Sequence, residues 1–557
     1  MSEMNLAKLF LGCLGVALLS CNEKPQAPTP APSATPVTTA PAPAPAPAPT
    51  PAAPVPPVVP APVVPTTTPA TSSSAQAPMV SQVTQYGITW TFAAPVPSGQ
   101  FANGDYWVVG PVKIITINPP SAELIGTTTL KGFTLGGSDP QPRMMHGSML
   151  NPMPVAGGQQ GYDSDIYRWH PISGRMYPAR FDPSKNVALG VSASHPLELS
   201  ASSSLVSTIS HEMGGRPQLR SAAVLTVLAS VPPDLGATSF RPPYSGSDKP
   251  LYSVKSLRKD LLPNLPLVTP MPKLESLVSK FQRPWIDHFS HLGDGTQYAS
   301  PSENMPNYGR EWCAAVGEAA LMLMLKEEDL IAKQGQNKDA LLIRFVQLGI
   351  DLSYIADNGG FWWGKGGLNH GRKWPIIFAG LMLDNQHMQT IGSRSKDMPY
   401  WGFAEDGQTS FIDQAAVDMT HSAAWAPDKR SKKLVPYEPA DIGMAEWNVG
   451  GFAPGLDGPK TLNNFLHHLY RTINGMSYPG LILPALLMGQ QANWKHDALF
   501  VYTDRYVAWA MKEADWKDQE KTQHIFSGAF QRAMWETYRS TVVGGKPAQP
   551  ADDRPTR

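Results

Sequence analysis

From Pro25 to about Pro78 the chain is built of Pro, Ala, Thr, Val and Ser with almost no charge. Such a segment holds too little apolar surface to repay the entropy of folding, and its prolines favour extended polyproline II. At about 3.1 Å per residue it reaches on the order of 150 Å when fully extended. It reads as a stalk, with a proline-rich ligand for another domain as the alternative. Any core must therefore come from the sequence after about Val83, although the chain has 557 residues.

The body has two textures. Ile88 to Phe92, Tyr106 to Val109, Val112 to Ile117, Leu130 to Leu135, Ala188 to Val191, Leu197 to Ile209 and Ala222 to Val231 are β-rich or apolar runs broken by Gly and Pro. They predict a β-sandwich-like domain over 83–240, followed by a Pro-rich connection at 241–272. Beyond Pro272 apolar residues recur at helical spacing. Predicted helices are Lys273 to Phe281, Tyr308 to Lys326, Ala340 to Ile355, Trp374 to Leu383, Leu462 to Ile473, Leu481 to Gln490, Ala498 to Lys512 and His524 to Tyr538. Long helices in succession, several apolar nearly all round, suit an α/α-toroid-like domain over 273–542 or an irregular bundle. Residues 543–557 read as a disordered tail. The fold class expected is α+β and multidomain.

Before the stalk, Lys8 precedes the apolar run Leu9 to Leu19, then Ser20 and Cys21. That is the pattern of a secretory signal over 1–20, too short to span a bilayer as a stable helix. Leu18-Leu19-Ser20-Cys21 resembles the lipobox of bacterial lipoproteins, with an ordinary cleaved signal as the alternative. The resemblance implies lipidation at Cys21, residues 21–82 as lipidated cysteine and stalk, and a lipid anchor in the cell envelope. Asn22 in place of Asp leans that sorting towards the outer membrane. With Cys13 in the signal and Cys21 acylated, Cys313 remains alone, so no intrachain disulfide is expected. Its apolar helical setting suits a buried, inert thiol.

Formal net charge is zero and no basic stripe is present, which argues against a nucleic-acid partner. His211-Glu212 lacks the second His of a zinc-protease motif. The glycine-rich segment lacks GxGxxG spacing and a preceding strand, which argues against nucleotide binding.

The densest polar and aromatic constellation runs from Asp357 to Trp374 and carries Trp362, Trp363, Lys365, Asn369, His370, Arg372 and Lys373 among several glycines. A loop that projects these groups from between two helices is a usual home of function. A turn whose tryptophans plug the core is the plainer alternative. Asn307, Tyr308 and Arg310 stand where the predicted helix Tyr308 to Lys326 begins. Tyr400-Trp401, Glu405-Asp406, Glu446-Trp447-Asn448 and His467-His468 are further candidates. Asp287, His288 and His291 offer a metal pair or, more plainly, a structural hydrogen-bonded one.

These residue types suit β-elimination on a uronic-acid polymer. Negative charge on the uronate carboxyl needs fixed donors such as Asn369, Arg372 and Arg310. Removing the C5 proton and protonating the leaving oxygen suit His370 and Tyr308. Trp362 and Trp363 could stack on sugar faces, and Asn307, Lys373, Trp447 and Asn448 complete the substrate-binding set. No cofactor is required, and a divalent metal stays open.

At the level of architecture the chain resembles the polysaccharide lyases with a helical toroid and an attached β domain, over roughly 83–540. In those families Asn, His, Tyr and Arg line the cleft, and Asn369-His370 is similar to an Asn-His pairing in alginate-lyase-like members. The resemblance implies His370 as base, Tyr308 as acid, and Asn369 with Arg372 as carboxyl neutralisers. The β domain precedes the helices here, where many toroidal lyases place it after them. Two other readings remain: a glycoside hydrolase drawing two carboxyls from Asp357, Glu405, Asp406 and Glu446, and a non-catalytic glycan-binding or structural envelope lipoprotein.

Overall fold

A computed structural model of the chain describes residues 76–543 apart from 125–127, 131–132, 136–142, 155–159, 163–168, 171–174, 177–181, 211–218, 289–304, 307–308, 363, 365–366, 368, 399–401, 423–435, 448–472 and 514–524. The expected signal, Cys21, most of the stalk, His211-Glu212, His291, His467-His468 and the predicted helix from Leu462 lie outside the described residues, apart from Ile473 of that helix. Strands come first and helices follow.

Strands β1 (Met79–Gln85), β2 (Ile88–Gln100), β3 (Tyr106–Val109), β4 (Val112–Asn118), β5 (Ser148–Leu150), β6 (Leu197–Leu199), β7 (Ser203–Ser210) and β8 (Leu219–Leu228) form one curled sheet. Its order is β6-β4-β2-β3-β8-β7-β5, with β1 also on β2. The length of β2 lets it serve β4 and β3 in turn, besides β1. Thr89 to Phe92 pair with Asn118 to Ile114 of β4, and Ser98 to Gln100 pair with Val108 to Tyr106 of β3. A register shift at Thr91/Phe92 marks a bulge within the β4 pairing.

Strand β8 reads as a nearly unbroken apolar run because both of its faces are covered. Ala223, Leu225 and Val227 face Trp90, Phe92 and Ile114 inside the curl. Leu219, Ala222 and Val224 face the helices, in one core with Tyr244, Trp285 and Trp312. The sheet and the helices therefore share a core across residues 240–272, where Phe240, Tyr244, Leu262 and Val268 are buried. The expected strand at Ala188 to Val191 is a turn, and the run from Leu197 breaks after Leu199 before resuming at Ser203.

Helices among the described residues include α1 (Leu274–Lys280), α2 (Gly309–Leu323), α3 (Glu327–Gln334), α4 (Asp339–Asp357), α5 (Lys373–Met382), α6 (Ala404–Gly407), α7 (Pro479–Leu487), α8 (Asp497–Glu513) and α9 (Ala529–Tyr538). Among the described residues none is long and apolar enough to cross a membrane. Helix α7 is buried from Pro479 to Leu486, which accounts for its lack of a polar face. It approaches α2 backbone to backbone: a Cβ on Gly317 would stand 2.7 Å from Gly480 Cα, so glycine sets that crossing distance.

A buried ion triad ties sheet to helices. Arg241 Nε donates to Asp105 Oδ2 at 2.6 Å, Nη2 donates to Asp351 Oδ2, and Nη1 donates to Pro242 O at 2.8 Å. Gln85 and Asn103 also donate to Asp105, at 3.0 and 2.9 Å. All three charged groups are buried, and each carboxylate has at least one further donor directed at it.

Candidate functional site

The segment from Asn369 to Lys373 joins the glycine-rich loop to α5, and it turns inward. Asn369 adopts φ 66° and Gly371 φ 90°. Asn tolerates that left-handed region, and at Gly371 it is close to obligatory. An added Cβ on Gly371 would also meet Cys313 Cα at 2.9 Å. Two successive reversals bring His370, Arg372 and Lys373 under the helices, where His370 and Lys373 are fully buried and Arg372 nearly so.

Each buried charge finds a partner far away in sequence. Arg372 donates to Asp287 through Nε at 3.0 Å and Nη2 at 3.2 Å, and its Nη1 donates to His370 O at 2.8 Å. Its guanidinium lies 3.5 Å from the Trp312 ring centre, close enough for a cation–π contact. Asp287 also accepts from Trp362 Nε1 at 2.6 Å. Lys373 Nζ pairs with Asp406, whose other oxygen accepts from Trp494 Nε1 at 2.9 Å.

His370 meets Tyr478, which stands next to the N-terminal proline of α7. The Tyr478 hydroxyl lies 3.4 Å from His370 Nδ1, with ring centres 5.6 Å apart. Burial holds the Tyr478 hydroxyl well above its ordinary pKa, so it stays protonated near neutral pH. Cys313 is close by, donating to Ser477 O at 3.4 Å, and burial pushes its thiol up. That matches the inert thiol expected of it.

Glu405, at the start of α6, clamps the same segment. Its Oε2 accepts from Gly371 N at 3.1 Å, and Oε1 lies 3.4 Å from Lys373 N. Burial, reinforced by the neighbouring Asp406 charge, pushes its carboxyl up to about 7. A carboxyl raised in this way takes up protons in the folded state before the unfolded state does. Its stabilising contribution is complete below its ordinary value of 4.5 and is lost as pH rises through about 7. Chemical denaturation of the wild type should show a downward slope across that window of up to about 1.4 kcal/mol per pH unit from this group. The slope should flatten in Glu405→Gln. An unchanged slope in the variant would assign it to other groups.

The other expected site residues separate. Trp362 is fully buried and stacked on Phe403, with ring centres 5.5 Å apart. That sets it in the core, with no exposed face for a sugar. Lys373 and Trp447 are likewise enclosed, and the guanidinium of Arg372 is already held by Asp287. Arg310 is only partly buried and pairs with its neighbour Glu311 at 2.9 Å. Tyr308, Asn307, Trp363 and Asn448 lie outside the described residues. Of the four hydrolase candidates, Asp357 is bound by Arg394 and by His387 at 2.9 Å. Glu446 is buried, with Arg505 at 3.7 Å. Burial lowers His288 to about 3, and its Nε2 lies 3.0 Å from Gln160 Oε1, which makes it a structural histidine. Among the described residues no group of three His, Cys, Asp or Glu could hold a metal ion.

Tyr478 was not singled out from sequence. Tyr-Pro-Gly announces a helix start, with Pro at the first position. Nothing local shows that its hydroxyl reaches an imidazole 108 residues away.

No family model, curated protein or solved structure matches the chain.

Proposed function

We propose that the chain is an exported lipoprotein, anchored through Cys21 in the cell envelope, that cleaves a uronic-acid-containing polysaccharide by β-elimination. The supporting observation is the His370–Tyr478 pair, an imidazole and a protonated phenol 3.4 Å apart beside a left-handed Asn369. Backbone held in a sparsely populated region clusters at functional sites. In this reading the base removes the C5 proton, the C–H electrons form the C4–C5 double bond, and the C4–O bond breaks. The leaving oxygen takes its proton from the acid.

In this reading His370 is the base and Tyr478 takes the acid role first given to Tyr308; both side chains are fully buried, so the reading requires the layer over them to open for the sugar. Asn369 is the carboxyl neutraliser, because Arg372 is committed to Asp287. Elimination by these groups calls for no nucleotide or redox cofactor. We read the curled sheet as the sandwich-like domain of this architecture, and α2 to α9 as its toroid-like layer.

The test uses the full chain with a panel of uronic-acid polymers and follows the ultraviolet absorbance of unsaturated uronide ends. Activity should fall about 10²–10⁴-fold in His370→Ala and in Tyr478→Phe, as for loss of a general acid or base. A flat trace across the panel would sink the elimination reading. Glu405 favours a second one, because a carboxyl raised to about 7 is what a glycosidase general acid needs. New reducing ends without unsaturation, abolished in Glu405→Gln, would establish hydrolysis instead.

A further inference from the structure

His370 and Tyr478 are buried, so some element must move before a polymer reaches them. Around Tyr478 stand Cys313 of α2, Tyr502 of α8, Glu405 of α6 and Trp447. Helices α2 and α8 run through the main core. Helix α6 is fixed by the Phe403–Trp362 stack at its start and by the bonds from Gly371 N and Lys373 N to Glu405. Trp447 is held differently. It ends strand β10 (Ala445–Trp447), which pairs antiparallel with β9 (Thr409–Phe411). The helix Gln414–Thr420 follows β9, and Ile412, Ala416, Val417, Tyr437 and Met444 form a small apolar cluster of their own. Among the described residues of 409–447, only Ala445 and Trp447 join the main core, while Phe411 and Ile442 are exposed. Arg505 of α8 ties this piece down: its Nη1 donates to Ala445 O at 2.9 Å and lies 3.7 Å from Glu446 Oε2. At the base of the piece the Thr409 hydroxyl donates to Glu405 O at 2.8 Å.

We propose that β9, β10 and the helix Gln414–Thr420 form a flap that swings off α8 to admit the polysaccharide to His370 and Tyr478, with Arg505 as its latch. A unit with two residues in the shared core opens at a lower free energy than the long elements beneath it. Its return over a bound sugar would exclude water from the reacting atoms, as lids do. What enters is taken from the elimination reading, whereas the opening is measured without any sugar.

Amide exchange of the full chain, read by mass spectrometry, compares β9, β10 and residues 414–420 with β8. The flap should exchange first. Arg505→Met should speed its exchange about 10–100-fold, the worth of one hydrogen bond from a charged donor, while β8 keeps its wild-type protection. Glu446→Gln keeps an acceptor for Trp447 N and leaves Arg505 on Ala445 O, so it should act in the same direction but less. Hydroxyl-radical oxidation of Tyr478 should rise in step with exchange of the flap. Equal protection of the flap and β8 in the wild type overturns the proposal. So do variants that leave flap exchange unchanged or that loosen flap and β8 alike. Faster flap exchange without faster Tyr478 oxidation overturns it too, because the flap would then not cover the tyrosine. Unsaturated product from a flap that never opens would sink the flap alone, and an opening flap with no product would sink the elimination reading alone.

Discussion

Replacing Arg241 with Met lowers the free energy of unfolding by about 3–5 kcal/mol at neutral pH, the loss typical of a buried ion network stripped of one partner. Asp105 and Asp351 are both buried, and burial already raises both carboxyls, against which Arg241 is the main opposing influence. Without the guanidinium, two carboxylates face each other in the shared core with only neutral donors. The variant can escape that charge only by protonating them, so the deficit should shrink as pH falls towards their ordinary value of 3.8. The sign follows from linkage: raised folded-state carboxyls contribute stability below that value and lose it as pH rises. Urea denaturation at several pH values gives the measurement, with an unchanged slope on denaturant as the check that unfolding stays two-state. A loss under about 1 kcal/mol, or one that grows on acidification, contradicts this account of the triad. Adding Asp351→Asn to Arg241→Met should restore part of the stability, because one of the stranded charges is gone.

What sequence could and could not show divides along the range of the interactions. Helical periodicity depends on neighbours three and four positions away. The helix expected over Ala340 to Ile355 is accordingly found at Asp339–Asp357, and that over Trp374 to Leu383 at Lys373–Met382. Apolar composition is a weaker guide. Ala188 to Val191 looks strand-like but turns, because Gly190 adopts φ 76°. The buried ion pairs follow no local rule. Arg241 reaches Asp105 and Asp351 over 136 and 110 residues, and Arg372 reaches Asp287 over 85. In sequence Arg372 and Lys373 are two cations in a glycine-rich loop, and solvent or substrate is the natural inference. Folding supplies carboxylates from elsewhere and turns both side chains inward. The same distance hid Tyr478 behind an ordinary helix start.

Asp287→Ala is the companion case, and it joins stability to the candidate site. The carboxylate accepts from Arg372 Nε and Nη2 and from Trp362 Nε1, all in the core. Its removal strands a guanidinium that is 5% exposed at the side chain, a change expected to cost about 3–5 kcal/mol. Asp287→Asn keeps one acceptor oxygen, which at the Oδ2 position serves both Trp362 Nε1 and Arg372 Nε, and should lose less, about 1–3 kcal/mol. Thermal and urea unfolding give the stability difference. The indole of Trp362 loses its charged partner, so the emission spectrum of the folded protein should shift as well. Arg372 also holds His370 O. The Asn variant, folded at low temperature, should therefore lose turnover in the proposed elimination while KM changes little, since the base is displaced and the bound sugar is not. Full activity in a variant that is measurably destabilised would make Asp287 a core residue alone. It would also remove the Arg372 bridge from any account of how His370 is positioned.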